Sequence, residues 1–298
     1  MASLAIIIPY YKLSLFEATL TTLANQTNTN FNVYIGDDAS PEDPTTMISS
    51  FSDRLNMTYV RFDTNLGGTS LVKQWERCIA LKQDEPWMTI LGDDDYYSPN
   101  VVARFYEELE VFEAKSHVVR FATQTKFVED KTITIPYTHP IWETAVDSYY
   151  RKFKGKTRSS LSEYFFKSSV YLKHGFTAYP LAWYSDDKAW LDFTEGLPIY
   201  TINDAAIIIS VSKISLTGMK NNRLDKLKAQ QLFLKSLIIN PNYNLDKVKR
   251  FDFVRAFEAV SKTLGIFTFK EQRLVMHQFF MYFGWLSLLK FIKRQWFF

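Results

Sequence analysis

Several protein classes are excluded by what this chain has little of. It carries one cysteine, Cys78, so no intramolecular disulfide can form, and its four histidines are scattered with no zinc-ligand spacing. Glycine is scarce where nucleotide cradles need it. No Gly-x-Gly-x-x-Gly follows the first apolar run, where Pro9-Tyr10-Tyr11-Lys12 stands, and no Walker loop occurs. Dinucleotide-binding and P-loop readings fall away, and a sugar nucleotidyltransferase would also want a Gly-rich loop there. Met1 to Pro9 has neither a basic flank nor a small-residue cleavage site, so a cytoplasmic protein without a signal peptide is expected.

What is present is core material. With 298 residues, 47% apolar and 16% aromatic, the chain can bury one large domain or two closely packed halves. Its net charge of +3 is unevenly spread. Residues 213–298 hold 16 Lys and Arg against 5 Asp and Glu, whereas residues 1–212 are net acidic, so the two parts face different partners.

The organising stretch is Trp87 to Asn100: an apolar run empties into Asp93-Asp94-Asp95, and Ser98-Pro99 reads as the cap and first position of a helix. Ligands of open α/β sheets sit beyond the carboxyl ends of the strands, where this loop falls. Two unit charges about 4 Å apart repel by about 4 kcal/mol at an effective dielectric of 20, and a divalent cation relieves that. All-oxygen ligands suit Mg²⁺ or Mn²⁺ bridging carboxylates to phosphates. A solvated acidic turn is the plain alternative.

Strand and helix patterns alternate before this loop. Ala5–Pro9, Phe31–Ile35, Met57–Phe62 and Trp87–Leu91 read as strands, with helices over Leu13–Ala24 and from about Thr69 to Lys82. Alternation of this kind gives an α/β fold with a mostly parallel sheet flanked by helices. Right-handed crossovers then bring the loops at 10–12, 36–40, 63–68 and 92–98 to one sheet edge.

Four segments in order, Ala5-Ile6-Ile7-Ile8-Pro9-Tyr10-Tyr11, Ile35-Gly36-Asp37-Asp38-Ala39-Ser40, Asn65-Leu66-Gly67-Gly68 and Leu91-Gly92-Asp93-Asp94-Asp95-Tyr96-Tyr97-Ser98-Pro99, resemble the inverting family 2 glycosyltransferases of GT-A fold. The resemblance covers roughly residues 4–215. It implies that Pro9, Tyr11, Asp37, Asp38, Gly67 and Asp93 contact the nucleotide part of the donor. It also implies that the acidic loop is the DxD-type motif, with Asp94 or Asp95 on a divalent ion. Gly92 departs from the family pattern, standing where the first aspartate usually does, and Gln74 precedes Trp75 where some members have asparagine.

Further on, Ser185-Asp186-Asp187 reads as a helix cap followed by two acids that favour the helix dipole. The same stretch resembles the family's Glu-Asp motif, which implies Asp187 as catalytic base and Asp186 as runner-up. Lys213, in Lys213-Ile214-Ser215, replaces the family's commoner arginine near the diphosphate and lacks the bidentate fork. Strand-like runs are expected over His117–Thr125 and Lys131–Pro136, a loop over Arg151–Lys156, and two short strands within Pro198–Val211.

Beyond residue 215 the pattern is helical, basic and aromatic. The uncharged stretch before Lys290 is too short to span a bilayer and suits an interfacial helix, with packing on the chain's own core or on a second subunit as the alternative. No nucleic-acid motif accompanies the basic residues.

The expectation is thus a GT-A domain over 1–215, with a nucleotide half to about 115 and an acceptor half over about 116–215, and a helical region over 216–298. Its activity would be transfer from a UDP-sugar to a glycan or lipid-linked glycan, in bacterial surface polysaccharide synthesis, peripheral to the membrane. A non-catalytic nucleotide-sugar-binding module is the alternative.

Overall fold

Leu4–Tyr10 (β1) is apolar, with three consecutive isoleucines at its centre, and is almost wholly buried, as befits a strand inside a helix-covered parallel sheet. The computed structural model describes residues 3–212 and 222–296, and backbone packing divides the chain into two units. The first is Met1–Ala178 with Ser185–Met219; the second is Tyr179–Tyr184 with Lys220–Phe298.

In the first unit β1 is followed by α1 (Phe16–Ala24), β2 (Asn32–Asp37), α2 (Thr45–Ser49), β3 (Met57–Arg61), α3 (Leu71–Ile79) and β4 (Trp87–Ile90). Next come β5 (Tyr96–Tyr97), α4 (Val101–Glu107), α5 (Leu109–Phe112), β6 (Val118–Phe127), β7 (Thr132–Ile133), β8 (Trp142–Glu143) and α6 (Ala145–Phe153). The unit closes with β9 (Tyr164–Lys167), α7 (Ser168–His174), α8 (Ser185–Phe193) and β10 (Ile199–Val211). The main sheet runs β3-β2-β1-β4-β9-β6-β10-β5. Strands β1 to β4 pair in parallel, so their carboxyl ends share one edge; β9 is antiparallel between β4 and β6. Under the sheet, Trp87 packs edge-on against Phe105 and Phe112, and Phe165 packs against Phe105 and Phe121.

Three local expectations are corrected. The helix after the acidic loop starts at Val101, not at Ser98-Pro99, because Tyr96–Tyr97 pairs with β10 and the Ser98 amide donates to the Ala206 carbonyl at 2.9 Å. Pro198–Val211 holds one long strand: the register skips between Ile202 and Ala206, and Asn203 in the bulge bonds both backbone groups of His139. Residues 151–153 belong to α6 and are no loop; the Thr144 hydroxyl caps that helix by accepting from the Asp147 amide at 3.1 Å.

The second unit is helical: α9 (Arg223–Ile239), α10 (Lys247–Thr263), α11 (Phe269–Phe283) and α12 (Trp285–Trp296). Asp246 caps α10, and the buried Arg250 donates to the Ile238 carbonyl and the Gln278 side chain, tying α9, α10 and α11 together. Among the described residues no helix is long and apolar enough to cross a membrane.

Candidate active site

At the end of β2 two carboxylates sit side by side, buried, each with its own set of donors. Asp37 accepts from the Ser40 amide at 2.8 Å, the Tyr59 hydroxyl at 2.7 Å and the Arg61 guanidinium at 2.7 Å. Asp38 accepts from the Leu66 and Gly67 amides at 2.6 and 2.8 Å and from Arg77. It thereby shapes the 65–68 loop. Gly67 is required there, since a β-carbon would lie 2.5 Å from the Asp38 carboxylate. Buried Gln74 accepts from Arg77 and donates to the Gly36 carbonyl at 3.1 Å, so it aims the guanidinium at Asp38; Trp75 packs edge-on against Phe176 in the core. Gly36 has a β-carbon position 2.3 Å from the Cys78 sulfur, whose thiol burial pushes up to about 12, an inert core group.

The acidic loop after β4 divides its three carboxyls. Asp93 accepts from the Tyr11 and Lys12 amides, both at 2.8 Å, latching the loop after β1, where Pro9 pairs with Gly36. Asp95 is buried; it accepts from the Ser162 hydroxyl at 2.5 Å and the Ser210 amide at 2.9 Å. Asp94 accepts no hydrogen bond from another side chain among the described residues. Burial first, then the charges of Asp95 and Asp93, push its carboxyl up to about 8; burial likewise raises Asp95 to about 6 against the pull of its donors. Gly92 admits no larger residue without a shift, for a β-carbon would meet the Asp95 carboxylate at 2.9 Å. No group of three or more metal-ligating side chains stands ready-made among the described residues. A lone free carboxyl beside two others suits an ion that brings phosphate oxygens and waters with it, the usual condition of Mg²⁺.

A second acidic site begins α8. The chain enters this helix through left-handed Leu181, Ala182 and Tyr184, with φ of 58°, 54° and 68°, a conformation that β-carbons oppose. Ser185 is already helical. Asp187 is buried and accepts from Lys152 Nζ of α6 through both oxygens, at 2.8 and 2.7 Å. Asp186 is partly exposed; burial and the neighbouring Asp187 charge push its carboxyl up to about 6. A cavity of about 10 Å³, near the minimum for one water, lies against Asp187, Lys152, Ser148, Ser159 and Tyr164.

The turn 158–164 links the two sites. Ser162 accepts from the Gly92 amide at 3.1 Å while donating to Asp95, and Tyr164 stacks on Trp190 of α8 at 4.2 Å. Glu163 and Ser160 cap the turn reciprocally, and burial pushes the Glu163 carboxyl up to about 7. Arg120, fully buried, bonds Ser148, Glu143 and Thr201 beneath.

Sequence reasoning placed Tyr11, Asp37, Asp38, Gly67, Asp93, Asp94 and Asp95 on loops at one sheet edge; the bonds just given join Tyr11 to Asp93 and Gly67 to Asp38 there, Asp94 follows in the same loop, and Pro9 pairs with Gly36 within β1. It missed Lys152, Ser162 and Arg77, which come from distant elements. The Ser160-x-x-Glu163 spacing was the one available signal, a capping box in plain sequence. Lys213 lies outside the described residues.

The profile described as glycosyl transferase family 2 matches residues 5–175, more than half of the chain. No curated protein matches the sequence. Among solved structures, TarS residues 1–349 from S. aureus in complex with UDP-GlcNAc aligns with a TM-score of 0.67 and 16% identity over 93% of this chain and 79% of that one. The mannosyltransferase PcManGT from Pyrobaculum calidifontis, in complex with GDP-Man and Mn²⁺, aligns at 0.58 and 12% identity over 96% of this chain and 85% of that one. At such identities the likeness is one of fold.

Proposed function

We infer that this chain, which belongs to glycosyl transferase family 2, moves a sugar from a nucleotide-diphospho-sugar to an acceptor hydroxyl with inversion at the anomeric carbon. A UDP-linked donor is our reading, supported by the UDP-GlcNAc complex of TarS. Residues 1–115 serve the nucleotide and 116–215 the acceptor. Asp37 and Asp38 meet base and ribose, with Pro9, Tyr11, Gly67 and Asp93 around them and Lys213 toward the diphosphate. Asp94 is the residue that would hold Mn²⁺ or Mg²⁺, because Asp95 is already committed to Ser162 and Ser210. When bound, such an ion supplies a Lewis acid that neutralises charge on the leaving diphosphate.

Asp187 takes the acceptor hydroxyl's proton as its oxygen attacks. Lys152 orients that carboxylate through both of its oxygens, and a carboxylate's roughly four lone-pair sites leave room for the acceptor O–H beside it. The observation that carries this reading is the turn 158–164, bonded to the acidic loop through Ser162 and stacked on the helix of Asp187 through Tyr164. One carboxyl is free for a donor's ion and another is held as base, an arrangement for transfer; a glycosidase would flank the bond with two carboxyl groups.

The acceptor is a glycan or lipid-linked glycan in surface polysaccharide synthesis, with the enzyme peripheral on the cytoplasmic membrane face. The test is donor hydrolysis and transfer across a panel of sugar nucleotides with Mn²⁺, beside calorimetric UDP binding. Asp187→Asn should abolish turnover and retain UDP binding. Wild-type protein that binds UDP and turns over no donor would instead favour a non-catalytic binding module.

A further inference from the structure

Helix α12 shows two unlike faces within the second unit. Leu288 and Phe291 are buried, Phe291 stacks on Phe279 of α11 at 5.4 Å, and Arg294 donates to Glu258 of α10 at 2.6 Å. That face is fully accounted for. On the other, Trp285 is 60% exposed, Leu286 75% and Leu289 45%, with Lys290 and Lys293 exposed beside them at helical spacing. The apolar patch continues onto the end of α11 through Phe280 and Met281, where Phe280 meets Trp285 edge-on at 6.0 Å. One and two turns back along α11, His277 and Arg273 are exposed. An aromatic and aliphatic patch thus has Lys290 and Lys293 on one side and Arg273 on the other.

The charge pattern selects the occupant. From Gln272 to Phe298 there is no Asp or Glu. A second copy seated two-fold on this face would set Lys290, Lys293 and Arg273 against their own images with no exposed carboxylate from these helices to pair them, because Glu271, the one acid of α11 and α12, is buried against Lys235. A twelve-residue helix is about 18 Å long, too short to cross a bilayer and long enough to lie in its surface. We propose that the outer face of α11 and α12 docks the protein on an anionic lipid surface, with Trp285, Leu286, Leu289, Phe280 and Met281 entering the headgroup boundary and Lys290 and Lys293 on anionic headgroups.

Each of these side chains has a defined part. Leucine and tryptophan enter by their apolar area, the indole N–H remaining at the wet boundary, and the lysines lay their methylene stems along the apolar layer while the ammonium groups reach the headgroups. A lysine near an anionic surface is worth about fivefold in binding. Burying a leucine contributes about tenfold or more. The peripheral setting inferred above is the premise; docking itself needs no turnover.

Vesicle flotation of the full chain decides the matter, with phosphatidylcholine vesicles compared with vesicles containing 30% phosphatidylglycerol. Wild type should float with the anionic vesicles. Leu286→Ser with Leu289→Ser should lower binding at least tenfold, and Lys290→Gln with Lys293→Gln about twenty-fold on anionic vesicles with little change on neutral ones. Because these residues are exposed, both variants should melt with wild type and hydrolyse donor in free solution as wild type does, which separates a failure here from a failure of the catalytic reading. Equal flotation of wild type and both variants would overturn the proposal. So would a wild-type dimer, seen by light scattering, that both variants convert to monomer without any change in lipid binding.

Discussion

Replacing Asp94 by asparagine should make the protein more stable while removing its metal-dependent nucleotide binding. At an effective dielectric of 20, unit charges about 4 to 6 Å apart repel by about 3 to 4 kcal/mol, and solvent at this partly open loop reduces that to about 2 kcal/mol. Asp94 has two such neighbours, Asp93 and Asp95, and no donor from another described side chain to offset them. The sign follows from linkage. Its carboxyl is raised in the folded state, to about 8, so between pH 4 and 8 the folded protein keeps a proton that the unfolded chain has released, and stability falls as pH rises. Asparagine has no such proton. In EDTA, urea unfolding should therefore show Asp94→Asn close to wild type at pH 4 and about 2 kcal/mol more stable at pH 8. Asp95→Asn should gain less, because its carboxyl is raised only to about 6 and it is a buried acceptor for both Ser162 and Ser210. Calorimetry should show the Mn²⁺ enhancement of UDP binding lost in Asp94→Asn. Equal destabilisation by Asp94→Asn at both pH values would refute the reasoning, for Asp94 would then be a structural acceptor.

Two other outcomes follow from the turn and the base. Lys152→Met strands Asp187 in a buried place beside Asp186, and breaking the pair should destabilise by about 3 kcal/mol; a double-mutant cycle with Asp187→Asn should return a coupling above about 1 kcal/mol. Glu163, raised to about 7 by burial, keeps a proton between about pH 4.5 and 7 that the unfolded chain loses, so wild-type stability should fall over that window by about 1 to 3 kcal/mol and Glu163→Gln should remove that part of the slope. An unchanged slope in the glutamine variant would mean that Glu163 is ionised in the fold.

The strands β1 to β4 were legible because hydrophobic periodicity is a local property: four consecutive residues of Trp87–Ile90 are buried, and their apolar run says so without help from elsewhere. Strand β9 was not. Tyr164-Phe165-Phe166 is as apolar as many helices, and only pairing with β4 on one side and β6 on the other makes it a strand. The two-residue β5 and the bulge in β10 are likewise products of pairing, since each depends on the other's register. The basic run at 151–156 misled for a related reason: its charges read as surface, yet Arg151 bonds Glu143 and Lys152 bonds Asp187, so part of it closes a helix against the core.

The carboxylates divide along the same line. That Asp37, Asp38, Asp93, Asp94 and Asp95 would gather beyond one sheet edge was written in the chain, because two parallel strands ending in acid can have their loops nowhere else. Which of them is free was not written there. The donors that engage Asp93 are the amides of Tyr11 and Lys12, those on Asp95 come from Ser162 and Ser210, and the ammonium on Asp187 comes from α6. These partners lie 35 to 115 positions away, so three adjacent aspartates of identical chemistry acquire different tasks only when the sheet closes around them.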